Sequence, residues 1–309
     1  MKFDHILFPV DFSEHSPALN PEVEWLAAHF NSRVTLLHVF EVPATWYGGG
    51  DAPLINAEDI RAFAEAEKQR LKDYAIQVPE SRVQRLSAEG GAAWHIAKLV
   101  DEDEVDLVVM GTHGYGPVRR LLLGSVTMKV LHDVSCPVWT HSAFTQAGQA
   151  QSFGVNRIVC SIELTDEATP LLQFARGLAE DFGAEVRLVH NVPGLQSRPA
   201  KYFDVDLHRY LKEEAMEQIS KLQGEVGTDF PLTVADGQIP QDVAEVARAT
   251  SADLVVIGRG KTQERFGTLR THAYEIIRQA PCPVLSYSMD QQERESGPII
   301  KNLAGQTVS

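Results

Sequence analysis

One segment of the chain places glycines and hydroxyl side chains in a spacing that can hold a phosphate group. Gly111, Gly114, Gly124 and Ser125 follow the pattern G-x2-G-x9-G-[ST]. Glycine lets the backbone turn sharply and approach a ligand, because no Cβ stands in the way. Apolar residues at helical spacing follow Ser125, and a helix N-terminus favours phosphate through its free N–H groups and partial positive charge. With hydroxyl donors at Ser125 and Thr127, the segment predicts a cradle for a triphosphate.

A second segment carries an acid at another strand end. PVDFS at 9–13 follows the first predicted strand, which puts Asp11 and Ser13 just beyond it. In doubly wound sheets ligands bind outside the carboxyl ends of the strands, so both segments are expected at one site. Simpler interpretations stay open. Asp11 could only cap the following helix, the glycines could only form a turn, and His113 could face either phosphate or solvent.

The composition disfavours several other classes of function. The 309 residues carry a formal net charge of −14, which disfavours a nucleic-acid binder. Three cysteines without a CxxC pair predict neither a disulfide framework nor a metal site. No apolar stretch approaches the roughly 20 residues that span a bilayer, and the N-terminus lacks a signal-peptide pattern. We therefore expect a cytoplasmic protein that binds neither nucleic acid nor membrane.

The chain contains an internal repeat. Four segments recur in the same order: ILFPVD at 6–11 as IVCSIE at 158–163, SRVTLLHV at 32–39 as AEVRLVHN at 184–191, DLVVMG at 106–111 as DLVVIG at 253–258, and SCPV at 135–138 as PCPV at 281–284. Residues 1–143 are therefore expected to form a first domain, 153–288 a second domain, and 289–309 a polar tail.

Each copy alternates apolar runs with amphipathic stretches. In the first copy, strands are predicted near 4–10, 32–40, 82–87, 106–111 and 136–141, and helices near 17–30, 57–77, 92–103 and 125–134. Strands that alternate with helices indicate βαβ units and a parallel sheet covered on both faces. The predicted class is α/β, with two tandem doubly wound domains of five strands each.

The spaced glycines, with ILFPVDFS at 6–13, LHV at 37–39 and SCPV at 135–138, resemble the universal stress protein family. The resemblance covers both copies. It implies a sheet order of 3-2-1-4-5, pairing of the two repeats through their fifth strands as an internal pseudo-dimer, and ATP as the ligand, with or without Mg²⁺. It places Asp11 beside the ribose and adenine, Val39 against adenine through its backbone, and the glycine loop around the phosphates. The expected nucleotide-binding residues are Pro9, Val10, Asp11, Ser13, Val39, Met110, Gly111, His113, Gly114, Gly124, Ser125, Val126 and Thr127.

The second copy departs from this pattern. Glu163 stands at the position of Asp11, and Thr165 at that of Ser13. Arg270-Thr271 aligns with Gly124-Ser125. After Gly258 the sequence continues as RGK at 259–261, so a lysine stands where the motif has its second glycine. The first domain is therefore predicted to hold the nucleotide. A basic cluster in the second copy could attract some other anion; its members are Arg259, Lys261, Arg265 and Arg270.

Three functional hypotheses follow. The main one is an ATP-binding regulatory module of the stress response. The second is a slow ATPase or phosphoryl-transfer enzyme, which would need a metal-binding acid and a base beside the γ-phosphate, and Asp11 is the one obvious acid. The third is an interaction scaffold without nucleotide. A homodimer of the whole chain is left open.

Overall fold

The computed structural model describes residues 2–13, 15–42, 57–112, 123–141, 153–194, 202–259 and 268–288. In the first domain the elements are β1 (His5–Pro9), α1 (His15–Ala18), α2 (Asn20–His29), β2 (Arg33–Phe40), α3 (Ala57–Lys72), a 3₁₀ turn (Glu80–Arg82), β3 (Val83–Glu89), α4 (Ala92–Glu102), β4 (Leu107–Gly111), α5 (Ser125–Asp133) and β5 (Val138–His141). In the second they are β6 (Arg157–Ser161), α6 (Ala168–Phe182), β7 (Glu185–Asn191), α7 (Tyr202–Val226), β8 (Leu232–Ala235), α8 (Ile239–Ala249), β9 (Leu254–Arg259), α9 (Thr268–Gln279) and β10 (Val284–Ser288).

The elements follow from the sequence with two differences in the helices. The helix predicted near 17–30 is divided at Leu19 into α1 and α2. The runs LVVM of β4 and LVVI of β9 are buried at every position, as a strand covered on both faces requires. The helix predicted over 57–77 ends at Lys72. The backbone beyond it bonds to α2 instead, since Asn20 Nδ2 donates to the Ala75 carbonyl and the Gln77 N–H donates to Glu24. Within the described ranges, no helix is long and apolar enough to cross a membrane.

The ten strands of the described ranges form one sheet in the order β3-β2-β1-β4-β5-β10-β9-β6-β7-β8. Each half therefore has the expected order 3-2-1-4-5, and its strands are parallel. The halves meet where β5 pairs antiparallel with β10, with Trp139 opposite Leu285. Two buried hydroxyls cross this joint, from Thr140 to the Val284 carbonyl and from Ser286 to the Val138 carbonyl. The structure thus confirms the predicted pairing of the two repeats through their fifth strands, β5 and β10.

Two apolar cores cover the faces of this sheet, and each core runs through both domains. One contains Phe8, Trp139 and Leu171, and the other contains Val108, Val130 and Ile277. Because the strands of the two halves run in opposite directions across the joint, the carboxyl ends of the first five strands lie on the opposite side of the sheet, measured along the strand direction, from those of the second five. A site at the carboxyl ends of the strands in the first domain therefore opens on the opposite side of the protein from the equivalent site in the second domain.

Candidate functional site

A cleft opens at the carboxyl ends of β1, β2 and β4, beside the first turns of α4 and α5. It contains about 990 Å³ of space outside protein atoms, including its open mouth. The cleft is lined by Pro9, Val10, Asp11, Ser13, His15, Ser16, Leu19, Leu37, Val39, Ala92, Ile96, Met110, Gly111, Gly124, Ser125, Val126 and Thr127.

The inner wall of the cleft is apolar. Val10, Leu37 and Met110 are buried at the ends of neighbouring strands, and Ile96 is buried on α4. Ala92, the first residue of α4, adds a small side chain to this wall. Apolar surface of this kind favours a flat, weakly polar group, because covering it removes the apolar area from water.

Asp11 is an exposed acid at the mouth of the cleft. Its Oδ1 accepts three hydrogen bonds, from the Ser13 N–H at 2.9 Å, the Ser13 hydroxyl at 2.7 Å and the Ser16 hydroxyl at 2.6 Å. Its Oδ2 accepts none of the hydrogen bonds found among the described residues. The carboxylate is thus held in place through one oxygen, while the second can receive a ligand hydroxyl. The local bonds of Oδ1 to Ser13 and Ser16, just before and within α1, agree with the simpler interpretation that Asp11 caps the following helix, and Oδ2 is left for a ligand.

The N-terminus of α5 forms the opposite side of the mouth. Gly124 precedes the helix with an extended backbone, no side chain caps the end, and the first turn contains no acid. The first N–H groups of a helix have no partner within it, so those of Ser125 and Val126 can bind an anion. Ser125 is exposed and can add its hydroxyl.

Thr127 lines the cleft and also joins two elements of the first domain. Its side chain is buried, and its hydroxyl donates to the Gly111 carbonyl at 3.0 Å. The Gly124 N–H likewise donates to the Thr112 carbonyl at 2.9 Å. These two bonds join the start of α5 to the end of β4. Thr127 therefore joins α5 to β4 with its hydroxyl proton, and its expected role at a phosphate stays a prediction.

A buried pair supports the strand end behind Asp11. The His38 imidazole lies 2.7 Å from the Val10 carbonyl through Nδ1 and 2.9 Å from the Glu67 carboxylate through Nε2. The His38 ring also packs on Phe12, whose φ of 58° is unusual for a residue with a side chain. His190 makes the equivalent contact with the Ile162 carbonyl at 2.9 Å. Both histidines therefore bond to the backbone at the same point of the repeat.

The predicted site residues converge on this one cleft, apart from His113 and Gly114, which lie outside the described residues. Sequence reasoning missed several lining residues, among them Leu37, Ala92 and Ile96. Ile96 has the spacing of an ordinary core residue, so no sequence signal separates it from the core. Ala92 was detectable, because the first residue of the equivalent helix in the second copy is the much larger Ile239.

Comparison with known proteins decides the family. A sequence model of the universal stress protein family matches residues 2–140 and, separately, residues 154–287. The chain belongs to the universal stress protein family. It contains two universal stress domains in tandem, joined through β5 and β10.

Individual relatives match one domain or both. Universal stress protein A homolog 1 of Coxiella burnetii is 30% identical over 141 residues, which are 45% of this chain and 95% of that protein. The crystal structure of a universal stress protein from Archaeoglobus fulgidus covers 93% of this chain and 97% of its own, with 17% identity and a TM-score of 0.65, so the fold is shared across both domains. Another A. fulgidus universal stress protein structure, in complex with dAMP, covers 43% of this chain and 98% of its own, with 25% identity and a TM-score of 0.30.

The second universal stress domain has a smaller and more acidic cleft at the equivalent place. It contains about 410 Å³, against about 990 Å³ in the first domain. Glu163, Glu167 and His272 contribute to its lining. Burial raises the pKa of the Glu163 carboxyl above its usual range, and the charge of Glu167 adds to this rise while that of His272 opposes it. Two carboxylates at this mouth disfavour a phosphate.

The inner wall of the second cleft is also filled differently. Asn191 stands where the first domain has Val39, and its Nδ2 donates to Asp242 on α8. The same carboxylate accepts the Gly237 N–H at 2.8 Å. Ile239, in the place of Ala92, packs against the neighbouring core. Positions that line the cleft in the first domain are therefore held by contacts within the second domain.

Arg259 does not belong to an anion site in the second domain. Its buried guanidinium points to the first domain and donates to the carbonyls of Leu131, Val134 and Cys136. The prediction of a basic cluster that attracts an anion is wrong for this residue, because a charge in a sequence does not show which way its side chain points. Lys261 and Arg265 lie outside the described residues.

Proposed function

We propose that this protein is an ATP-binding universal stress protein in which the first domain binds one nucleotide and acts as a nucleotide-dependent regulatory module. The observation that carries the proposal is a single cleft that combines an apolar wall, a positioned carboxylate and an acid-free helix N-terminus. These three features match the three parts of a nucleotide.

Each part of the nucleotide has a matching region of the cleft. The adenine lies on the apolar wall formed by Val10, Val39 and Met110. The ribose hydroxyls donate to the Oδ2 of Asp11, a pairing that nucleotide-binding folds use repeatedly. The phosphates lie at the N–H groups of Ser125 and Val126, since a phosphate beside the carboxylate of Asp11 would be repelled. Gly111 and Gly124 border the path between ribose and phosphates.

The test is the stoichiometry and identity of the bound nucleotide. The full chain is denatured and the released small molecule is identified by mass spectrometry. Calorimetry of the nucleotide-free chain with ATP, with and without Mg²⁺, is expected to give one site per chain. Two equal sites would contradict the assignment to the first domain, and no binding would favour the scaffold hypothesis.

We further propose binding with little turnover. Rate enhancement in phosphoryl transfer needs groups that stabilise charge as it develops at the γ-phosphate. Asp11 is the one carboxylate among the cleft residues that the structure describes, and it is assigned to the ribose. Hydrolysis is therefore expected far below the roughly 1–100 s⁻¹ of kinases. Turnover above about one per second, removed by Asp11→Ala, would support the enzyme hypothesis instead.

A further inference from the structure

Arg259 connects the second domain to the helix that begins at the proposed phosphate site. It is the last residue of β9 and is 8% exposed. Its Nη1 donates to the Leu131 carbonyl at 2.6 Å and to the Val134 carbonyl at 3.2 Å, and its Nη2 donates to the Cys136 carbonyl at 2.6 Å. All three acceptors belong to the first domain, at or just beyond the C-terminal end of α5.

These bonds suit the chemistry of a helix end. The last carbonyls of a helix have no partner within it and carry a partial negative charge, so a buried cation that donates to them is favourable. Hydrogen bonds from a charged donor are also stronger than those between neutral groups. α5 has nine residues, and a helix this short is marginal by itself, so its position depends on tertiary contacts, which include the packing of Val130 and Leu131 and the bonds at its two ends.

The two ends of α5 are thus held by different domains. The N-terminal end is joined to β4 of its own domain by the bonds of Gly124 and Thr127. The C-terminal end is held by Arg259 of the second domain. The equivalent helix of the second domain, α9, has a different arrangement, because Arg248 of its own domain donates to the Gln279 carbonyl at 3.3 Å.

The position of Arg259 in the repeat corresponds to a loop residue of the first domain. Arg259 follows DLVVIG, and the equivalent residue after DLVVMG is Thr112, at the start of the phosphate loop of the first domain. The position that begins a phosphate loop in one domain therefore supplies an interdomain cation in the other. Position 112 is one of the variable positions between Gly111 and Gly114, so Arg259 supplies the interdomain contact without being the change that removes the second glycine of the motif.

We propose that Arg259 is a positioning residue for the phosphate-binding end of α5, so that ATP affinity in the first domain depends on the second domain. The inference rests on the proposed function of the first cleft. It predicts that loss of Arg259 weakens the binding of the phosphates and spares that of the adenine. Arg259 supports α5, whereas the apolar wall that receives the adenine lies on β1, β2, β4 and α4.

The test compares ATP with adenosine on the full chain. Arg259→Gln is expected to weaken ATP binding about tenfold, the scale of a buried charge at a helix end, and to change adenosine binding less than about twofold. Arg259→Lys keeps the charge but donates from one point instead of a planar fork, so an intermediate loss of ATP affinity is expected. If Arg259→Gln does not fold, Arg259→Lys decides the result by the same comparison.

Arg248→Gln is the matched control. It makes the same substitution in an arginine of α8 whose side chain donates to the last carbonyl of α9, and it is expected to leave both affinities within about twofold of wild type. Unchanged ATP affinity in Arg259→Gln, or an equal loss for ATP and adenosine, would overturn the inference and leave the proposed function intact. A wild-type chain that binds neither ligand would overturn both.

Discussion

The two domains share one fold and differ in what lies at the carboxyl ends of their strands. In the first, Asp11, Ala92 and Gly124 surround an open cleft. In the second, the equivalent residues are Glu163, Ile239 and Arg270, and the cleft has less than half the volume. The buried strands LVVM and LVVI are nearly the same in both. The strands can therefore stay nearly the same while side chains at and beyond their carboxyl ends change, so the site can change while the fold stays.

The comparison also shows that the changed positions of the second domain have new structural partners. Asn191 bonds to Asp242, Ile239 packs on the core, and Arg259 holds the first domain. Copying these residues into the first domain, or neutralising one in the second, tests which differences matter for binding.

The largest effect is expected from Gly124→Arg, which copies the residue aligned in the second domain. A long cationic side chain at the start of α5 fills the space assigned to the phosphates, and ATP affinity should fall by at least about 100-fold in calorimetry. Gly224→Arg adds the same side chain on α7, where a Cβ meets nothing within 4 Å. That control should bind like wild type. Equal ATP affinity in Gly124→Arg and wild type would show that the phosphates lie elsewhere.

A smaller loss is expected from Ala92→Ile, which copies Ile239 into the apolar wall of the first cleft. The added atoms take up space assigned to the adenine, so both ATP and adenosine should bind about tenfold more weakly. This joint loss differs from the pattern expected for Arg259→Gln, which spares adenosine. Ala66→Ile, at an exposed position of α3, is the control for the substitution itself. A loss confined to ATP would contradict the placement of the base.

The smallest effect is expected from Glu163→Gln in the second domain. Burial raises the pKa of this carboxyl above 4.5, so its ionised form is less favourable in the folded chain than in the unfolded one. The cost is absent below about pH 4.5 and grows as the pH rises through the raised pKa. Thermal unfolding should therefore show a small stabilisation of the variant at pH 7 that disappears at pH 4.

Two controls sharpen this result. Glu185→Gln removes an exposed carboxyl at the start of β7 and should not change the pH dependence. Calorimetry of Glu163→Gln should show unchanged ATP affinity in the first domain. A variant that is less stable than wild type at pH 7 would mean that Glu163 has a favourable ionised partner in the folded chain.

Much of the fold was predictable because its signals are local. The continuous apolar strands, the alternation with helices and the repeat predict the α/β class, and the family resemblance adds the strand order and the β5–β10 joint. The glycine pattern and PVDFS predicted residues that do line one cleft. Ile96 could not be separated from the core by spacing, and neither the direction of Arg259 nor the acceptor of the Thr127 hydroxyl is encoded locally. Those features depend on which distant groups the fold brings together.

The apolar cores that continue across the β5–β10 joint have a consequence for how the chain unfolds. Neither domain can lose its packing without exposing core residues of the other, such as Trp139 beside Leu285. The tandem chain is therefore expected to melt as one cooperative unit. A ligand that binds only the folded first domain then raises the free energy of unfolding of the entire chain by mass action. Nucleotide in the first cleft would slow amide hydrogen exchange as far away as β8, at the opposite end of the sheet.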